Sequence, residues 1–515
     1  MSKFKTRGLC AAIVAGAFGL AATAPAVAAE TGSRVIVKFK AGAFAKGRAE
    51  VAAQGGRVLV NLSEVDALST QLSPKAIALL KRSKNVEFIE VDHPQYLFAS
   101  KRVGTSAVVA SQTVPYGITM VQADQVGDAA AGLRKLCIVD SGIDGTHPDL
   151  AGVPMTGENF TTSGTWNSDE NGHGTHVAGT VAALNNSIGV VGVMPSGTIN
   201  LHIAKVFDAT GSTSSSTIAK AMLACGKVGA NVVSMSLGGS SPSGIQQLVA
   251  KILAKRNVLQ IAAAGNAGTS AISYPAGFAE VVSVAAIDSS MAHASFSQFN
   301  ADVEIAAPGV GVLSTVPVGT GQSSTLDVSG TGYAVIAGVG SGGGSVTAPL
   351  YNFGLGEVVD GGAAGKVCLI SRGNISFGIK VDNCVASGGI GAVVYNNVAG
   401  PLAMDLGGVK TIPAVGADGN AMASLLAQVG QSATVAVLTS DYAEFNGTSM
   451  ATPHTSAVAA LVWSLHTGCT AAQMRDSLNK SAMDLGAAGR DVEFGFGLVQ
   501  AKAASDRITA MGCGN

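Results

Sequence analysis

Between residues 135 and 286 the chain repeats one pattern. A short apolar run with no polar interruption ends in a polar residue, and a stretch with helical spacing follows. The runs fall at 135–139, 190–193, 200–206, 231–235, 258–262 and 281–286. A half-exposed strand alternates apolar and polar residues, whereas an uninterrupted Val/Ile/Ala run fits a strand buried on both faces. Strands of this kind alternating with helices predict an α/β unit: a mostly parallel sheet between two helical layers. Such sheets carry their sites at the carboxyl ends of the strands, so the polar residues there are the first candidates for chemistry.

The 515 residues exceed what one domain usually holds, so further units are expected. Residues 34–98 read strand, helix, strand, strand, helix, strand, with turn signals at 55–56 and 83–85 and a Ser73-Pro74 helix start. That order suits a small split-βαβ, ferredoxin-like α+β domain. Residues 99–110 lack periodicity and read as a linker. After Pro317 the composition turns rich in Gly, Ser and Val up to about residue 440. Short strands at 365–370 and 391–396 and a helix at 421–428 mark this stretch as a separate, mainly β inserted domain.

At the amino terminus, Lys3, Lys5 and Arg7 precede an apolar run over 9–22 and the small residues Ala26-Val27-Ala28. Residues 1–29 therefore read as a secretory signal peptide, its apolar run too short to span a membrane, and an extracellular protein without a membrane anchor is expected. The leader removes Cys10, leaving six cysteines, as an oxidising compartment allows. Placement within one inferred unit favours Cys137 with Cys225, Cys368 with Cys384, and Cys469 with Cys513. Zinc spacing is lacking. Charged residues are 13% of the chain and the two signs nearly cancel, which gives no footprint for nucleic acid.

Three blocks carry candidate chemistry. Leu136-Cys137-Ile138-Val139-Asp140-Ser141-Gly142 puts a carboxylate at the end of a buried strand. Asn171-Gly172-His173-Gly174-Thr175-His176 starts a helix with a histidine; a metal pair is the rival reading, weak at i, i+3 without an acidic partner. Gly447-Thr448-Ser449-Met450-Ala451-Thr452-Pro453 turns tightly into a helix, and Pro453 requires a place in its first turn. Each alone reads as a turn or a cap.

In the order Asp, His, Ser, the blocks closely resemble those of the subtilisin-like serine proteases, the subtilase family. The resemblance implies a serine endopeptidase of subtilisin-like three-layer fold. In it Ser449 attacks the peptide carbonyl, His173 moves the proton and Asp140 orients the imidazole. Ala262-Ala263-Ala264-Gly265-Asn266-Ala267-Gly268 is similar to the family's oxyanion segment and assigns Asn266 as a donor. The segments around Gly211 and around Ser236, Leu237 and Gly238 resemble the strands that flank an extended substrate. Ala264, Gly265 and Gly238 would wall the pocket for the residue before the scissile bond, with Ser273 near its floor. No charge lies in these segments, so large uncharged side chains are expected there.

The resemblance extends further. Leu184-Asn185-Asn186-Ser187-Ile188-Gly189-Val190 is similar to the family's calcium loop. It implies a structural calcium held by side chains of Gln112, Asp149 and Asn186 and carbonyls of Leu184, Ile188 and Val190. Residues 30–98 resemble the inhibitory propeptide, 112–117 a mature amino terminus, and the insertion at 321–439 a protease-associated domain. The catalytic domain would then comprise 111–320 and 440–515, with processing near Ala110-Ser111. Polypeptide substrates and the chain's own propeptide are the expected partners of a monomeric enzyme.

Overall fold

A computed structural model describes residues 32–98, 102–103 and 112–514, with only the backbone of 102–103. The signal peptide, Cys10 and the Ala110-Ser111 junction lie outside these residues. No described helix is long and apolar enough to cross a membrane.

The largest unit is built on a seven-stranded sheet in the order 303–308, 281–287, 259–263, 232–235, 135–140, 200–205, 155–159. Every neighbouring pair is parallel. The strand Lys135–Asp140 shows why its sequence lacks alternation. Leu136 and Ile138 pack on one core with the helices His173–Ala182 and Thr448–Leu465. Cys137 and Val139 face the other core, with the helices Ser215–Lys227 and Gly244–Lys255. Both faces are dry, so both sets of side chains are apolar. The expected run at 190–193 is not a strand. Val190 makes only an isolated bridge to Thr113, and the run is a buried loop, apolar because Val190 and Val193 enter neighbouring cores.

The amino-terminal unit is a four-stranded antiparallel sheet, ordered 58–62, 67–72, 33–39, 86–91, with the helices Phe44–Ala53 and Pro74–Leu80. Those helices close its own small core. Its other face, through Ile36, Leu62, Val65 and Ala67, joins the core around helices 215–227 and 244–255. Two carboxylates complete the contact at the starts of these helices, where backbone N–H groups have no partner within the helix. Glu90 accepts from the Gly244 and Ile245 amides and from Ser243 Oγ at 2.8, 3.2 and 2.7 Å. Asp92 accepts from the Ser216 amide at 2.9 Å and from Ser69, Ser215, Ser216 and Arg34 side chains. Burial alone would raise the Asp92 pKa; the hydrogen bonds from Ser69, Arg34 and Ser216 outweigh it and hold the carboxyl below its usual range.

The insertion forms an eight-stranded mixed sheet with separate cores. Its ladder Gly321–Val328 against Ser432–Ser440 sets Gly321 opposite Ser440, so the segment leaves and re-enters the catalytic unit at neighbouring points. Besides the expected helix, here Met422–Ala427, it contains the helix Phe377–Ala386. Gly378 hid that helix in the sequence; a Cβ there would stand 2.2 Å from the Leu406 carbonyl oxygen. The disulfides are Cys137–Cys225, Cys368–Cys384 and Cys469–Cys513, as expected.

Candidate active site

Asp140 ends its strand fully buried, and its Oδ1 accepts from the Ser141 amide and faces His173 Nδ1, both at 2.8 Å. Beside a carboxylate, Nδ1 carries the proton, which leaves the Nε2 lone pair as an acceptor. Nε2 is buried and has no hydrogen-bond partner. His173 opens the helix His173–Ala182, and a second carboxylate, unnoticed in the sequence, fixes that opening. Asp169 accepts from the Asn171, Gly172 and Thr175 amides, from Thr175 Oγ1 and from Ser141 Oγ. It thereby ties the end of the Asp140 strand to the helix that carries the imidazole.

Ser449 is the second residue of the buried helix Thr448–Leu465, which packs against the His173 helix. Gly447 precedes it at φ 156°, where a Cβ would meet Asn266 Nδ2 at 3.0 Å, so glycine is required by conformation and by space. The Ser449 hydroxyl donates to the Ser236 carbonyl at 3.0 Å, and Ser236 Oγ donates to the Ser449 carbonyl at 2.8 Å. This pair explains Pro453, which lies in the second helical turn, not the first as expected. Proline has no N–H for the carbonyl four residues back, and the Ser236 hydroxyl supplies the missing donor.

Asn266 Oδ1 accepts from the Thr448 amide and hydroxyl at 2.9 and 2.8 Å. With its oxygen so fixed, the amide turns its NH₂ toward the Gly447–Ser449 turn. An acid–imidazole pair, a hydroxyl at a helix start and an aimed amide donor thus meet at the carboxyl edge of the sheet. That set can activate a hydroxyl and stabilise an oxyanion.

The sequence profile of the subtilase family matches residues 134–339 and 402–497, and that of the PA domain matches 345–425. This chain belongs to the subtilase family. M-protease of Shouchella clausii (strain KSM-K16) is 39% identical over 287 residues, 55% of this chain and 70% of that protein. Subtilisin E of Bacillus subtilis (strain 168) is 37% identical over 302 residues, 56% of this chain and 75% of that one. Among solved structures, the psychrophilic subtilisin-like protease Apa1 from the Antarctic psychrotroph Pseudoalteromonas sp. AS-11 aligns at TM-score 0.64 and 40% identity. The alignment covers 78% of this chain and 100% of that one. The protein is a subtilisin-like serine endopeptidase with an inserted protease-associated domain.

The second histidine of the subtilase block is structural. His176 is fully buried, stacks on Phe445 at 4.3 Å and sets Nε2 against the Val312 and Ala443 carbonyls at 2.9 and 3.1 Å. Burial first, then His173 nearby, depresses its pKa to about 3, so it stays neutral. Among the described residues no group of three or more His, Cys, Asp or Glu side chains is placed to hold a metal.

Of the remaining expected residues, Gly211, Leu237 and Gly238 line the chain's own strand Pro94–Leu97. Gly238 also adjoins Ser273, whose buried Oγ lacks a partner. Ala264 and Gly265 are committed through their amides to the Val284 carbonyl and Thr448 Oγ1. In the loop, Gln112 Nε2 lies 2.7, 3.0 and 3.3 Å from the Leu184 and Ile188 carbonyls and Asn186 Oδ1. Asp149 accepts from Asn186 Nδ2 at 3.0 Å and from the Val190 amide at 2.9 Å.

Proposed function

We propose that this subtilase is a secreted, propeptide-inhibited endopeptidase that works through an acyl-enzyme on Ser449. The observation that carries the reading is the Asp140–His173 contact at 2.8 Å beside an uncommitted Nε2, on the helix packed against the Ser449 helix. Ser449 Oγ attacks the peptide carbonyl carbon as His173 takes the hydroxyl proton, then returns it to the departing amine. Water hydrolyses the ester by the same proton route. Asp140 orients the ring and stabilises its charged form; Asn266 Nδ2 and the Ser449 amide hold the oxyanion.

Substrate lies as a strand between the segments at 211–214 and 236–238, as Pro94–Leu97 does here. The Phe98 ring against Gly238 and Ser273 supports preference for large uncharged residues before the scissile bond. The amino-terminal unit supplies that strand, which supports its role as inhibitor.

The loop residues fit a structural calcium. Three oxygens, from Leu184, Ile188 and Asn186, converge where the Gln112 amide nitrogen sits, and turning that amide adds a fourth. An all-oxygen set with Asp149 behind it suits a hard cation, which when bound would rigidify the loop and take no part in the reaction. Chelation with EDTA should lower unfolding stability by about 3–4 kcal/mol if calcium is held at 100–1,000 times Kd, read by denaturant melts of an inactive variant. An unchanged melt sinks the calcium assignment.

The catalytic reading is tested with the full precursor and its Ser449→Ala variant. The variant should neither mature nor digest casein, with turnover down about 10⁶-fold. A variant that does either in purified form overturns the assignment. Peptides ending in Phe, Leu or Arg before the bond read the pocket preference.

A further inference from the structure

The chain's own residues 94–98 lie along the cleft and 102–103 pair with the strand that precedes the Ser449 helix, and the upstream pairing marks which bond faces Ser449. Upstream, Pro94–Leu97 is the middle strand of a three-stranded antiparallel sheet between Ser212–Ser214 and Leu237–Gly238. Leu97 pairs with Leu237, and its amide donates to the Gly211 carbonyl at 3.0 Å. Leu237 follows Ser236, whose carbonyl accepts the Ser449 hydroxyl. Phe98 comes next in the chain. A Cβ on Gly238 would lie 2.5 Å from Phe98 Cζ and 2.4 Å from Ser273 Oγ, which seats the ring in a pocket without charge.

Downstream, the backbone of Arg102–Val103 pairs antiparallel with the strand Tyr442–Phe445, which leads directly into Ser449. Arg102 lies opposite Phe445, and Val103 opposite Glu444. The ladder holds residues 102–103 on the strand that precedes the Ser449 helix, downstream in the chain of Pro94–Leu97. The upstream pairing and the Phe98 ring against Gly238 together point to Phe98.

We propose that the first maturation cut falls on the carboxyl side of Phe98, about a dozen residues before the junction expected from the sequence. The inference rests on Ser449 being the nucleophile. Ser449 Oγ bonds to the Phe98 carbonyl carbon, the bond to the Ala99 nitrogen breaks, and His173 delivers the proton to that amine. Water then releases Phe98 as a carboxylate. The enzyme now begins at Ala99 and keeps residues 99–110, with Arg102–Val103 on the strand that flanks the leaving-group side. A later cut removes this arm. That second junction is not presented to its own Ser449, because Thr113 exchanges backbone hydrogen bonds with Gly189 and Val191, and Gln112 is held by Leu184. The first cut is therefore intramolecular and the second passes between molecules.

The test follows purified precursor by mass spectrometry at several dilutions. The first fragments should end at Phe98 and begin at Ala99, at a rate independent of concentration. The terminus near Ser111 should come later, faster at higher concentration. Phe98→Asp, which drives a charge into the pocket, should slow the first cut about 100-fold, while Phe98→Leu cuts normally. Trimming Phe98→Asp with wild-type enzyme and recovering peptidase activity shows that it folded; if it does not fold, the termini from wild type and Phe98→Leu decide. A first cut near Ser111 with Phe98 intact, or an unchanged rate in folded Phe98→Asp, overturns the proposal. Ser449→Ala separates the two readings. If it stays uncut while wild type cuts first elsewhere than Phe98, only this inference fails; if it matures alone, the catalytic reading fails.

Discussion

The sheet of the catalytic unit and the sheet of the insertion both run parallel strands through their middle and cover them with helices, yet they treat buried polar atoms differently. Among the described residues of the insertion, Gln428 Oε1 alone is a buried side-chain N or O atom without a partner. Its fully buried Lys380 donates to the Leu355 carbonyl, and Asn396 bonds to Arg372 and to the Gly400 carbonyl. At the carboxyl edge of the catalytic sheet, Asp140 Oδ2, His173 Nε2 and Ser273 Oγ are buried without partners. Leaving such atoms unpaired costs about 1–3 kcal/mol each, which a fold tolerates where a substrate or a reacting proton completes them. The described insertion leaves one buried side-chain atom unpaired; the catalytic edge leaves three.

The largest test of that contrast removes the donor that the proposed mechanism assigns to the oxyanion. Asn266→Ala deletes the NH₂ while leaving the substrate strands intact. We expect kcat to fall about 10²- to 10³-fold with KM within a few-fold, the size established for the corresponding donor in a subtilisin. Steady-state hydrolysis of a four-residue peptide decides it. A loss carried by KM instead would mean that Asn266 serves to hold the Thr448 turn for binding.

A smaller effect is expected at Glu444, on the strand that leads into Ser449. Burial pushes its pKa up to about 7, so the folded protein holds its proton more tightly than the unfolded chain does. The stability this gives is complete below the unfolded value near 4.5 and is lost as pH rises through about 7. Glutamine is neutral throughout. In the Ser449→Ala background, Glu444→Gln should match the parent at pH ~4 and exceed it by about 1–3 kcal/mol at pH ~8.5 in denaturant melts. A gap that does not change with pH would show that the carboxylate is already satisfied, as in the insertion.

Sequence patterns exposed some of this and concealed the rest for identifiable reasons. Asp140, His173, Asn266 and Ser449 sit in dense local motifs, so each could be named before any contact was known. The central strands were legible because burial on both faces erases alternation. Asp169 was missed because an aspartate two residues ahead of Asn171-Gly172 reads as an ordinary turn former, and its bond to Ser141 joins residues far apart in the chain. The strand Pro94–Leu97 was missed because its partners, near 212 and 237, are equally remote. The apolar run at 190–193 misled, since a loop buried in the core leaves the same signature as a strand buried in a sheet.

The smallest expected effect is also the most direct comparison of the two units. Gly321 lies opposite Ser440 and Thr315 opposite Tyr442, so replacing 322–439 by a short Gly-rich turn joins ends that are already neighbours. Tyr442, which hydrogen-bonds Asp149 beside the loop at 184–190, is retained. The insertion's cores contain none of the residues around Asp140, His173 or Ser449. Independent sites should leave kcat/KM on a four-residue peptide within about two-fold. A ten-fold loss or more would place the insertion in the catalytic machinery and end the contrast. If the short peptide is unaffected while casein is digested faster or more slowly, the insertion acts on what reaches Ser449, and the nearly complete hydrogen bonding of its interior belongs to a wall beside the site.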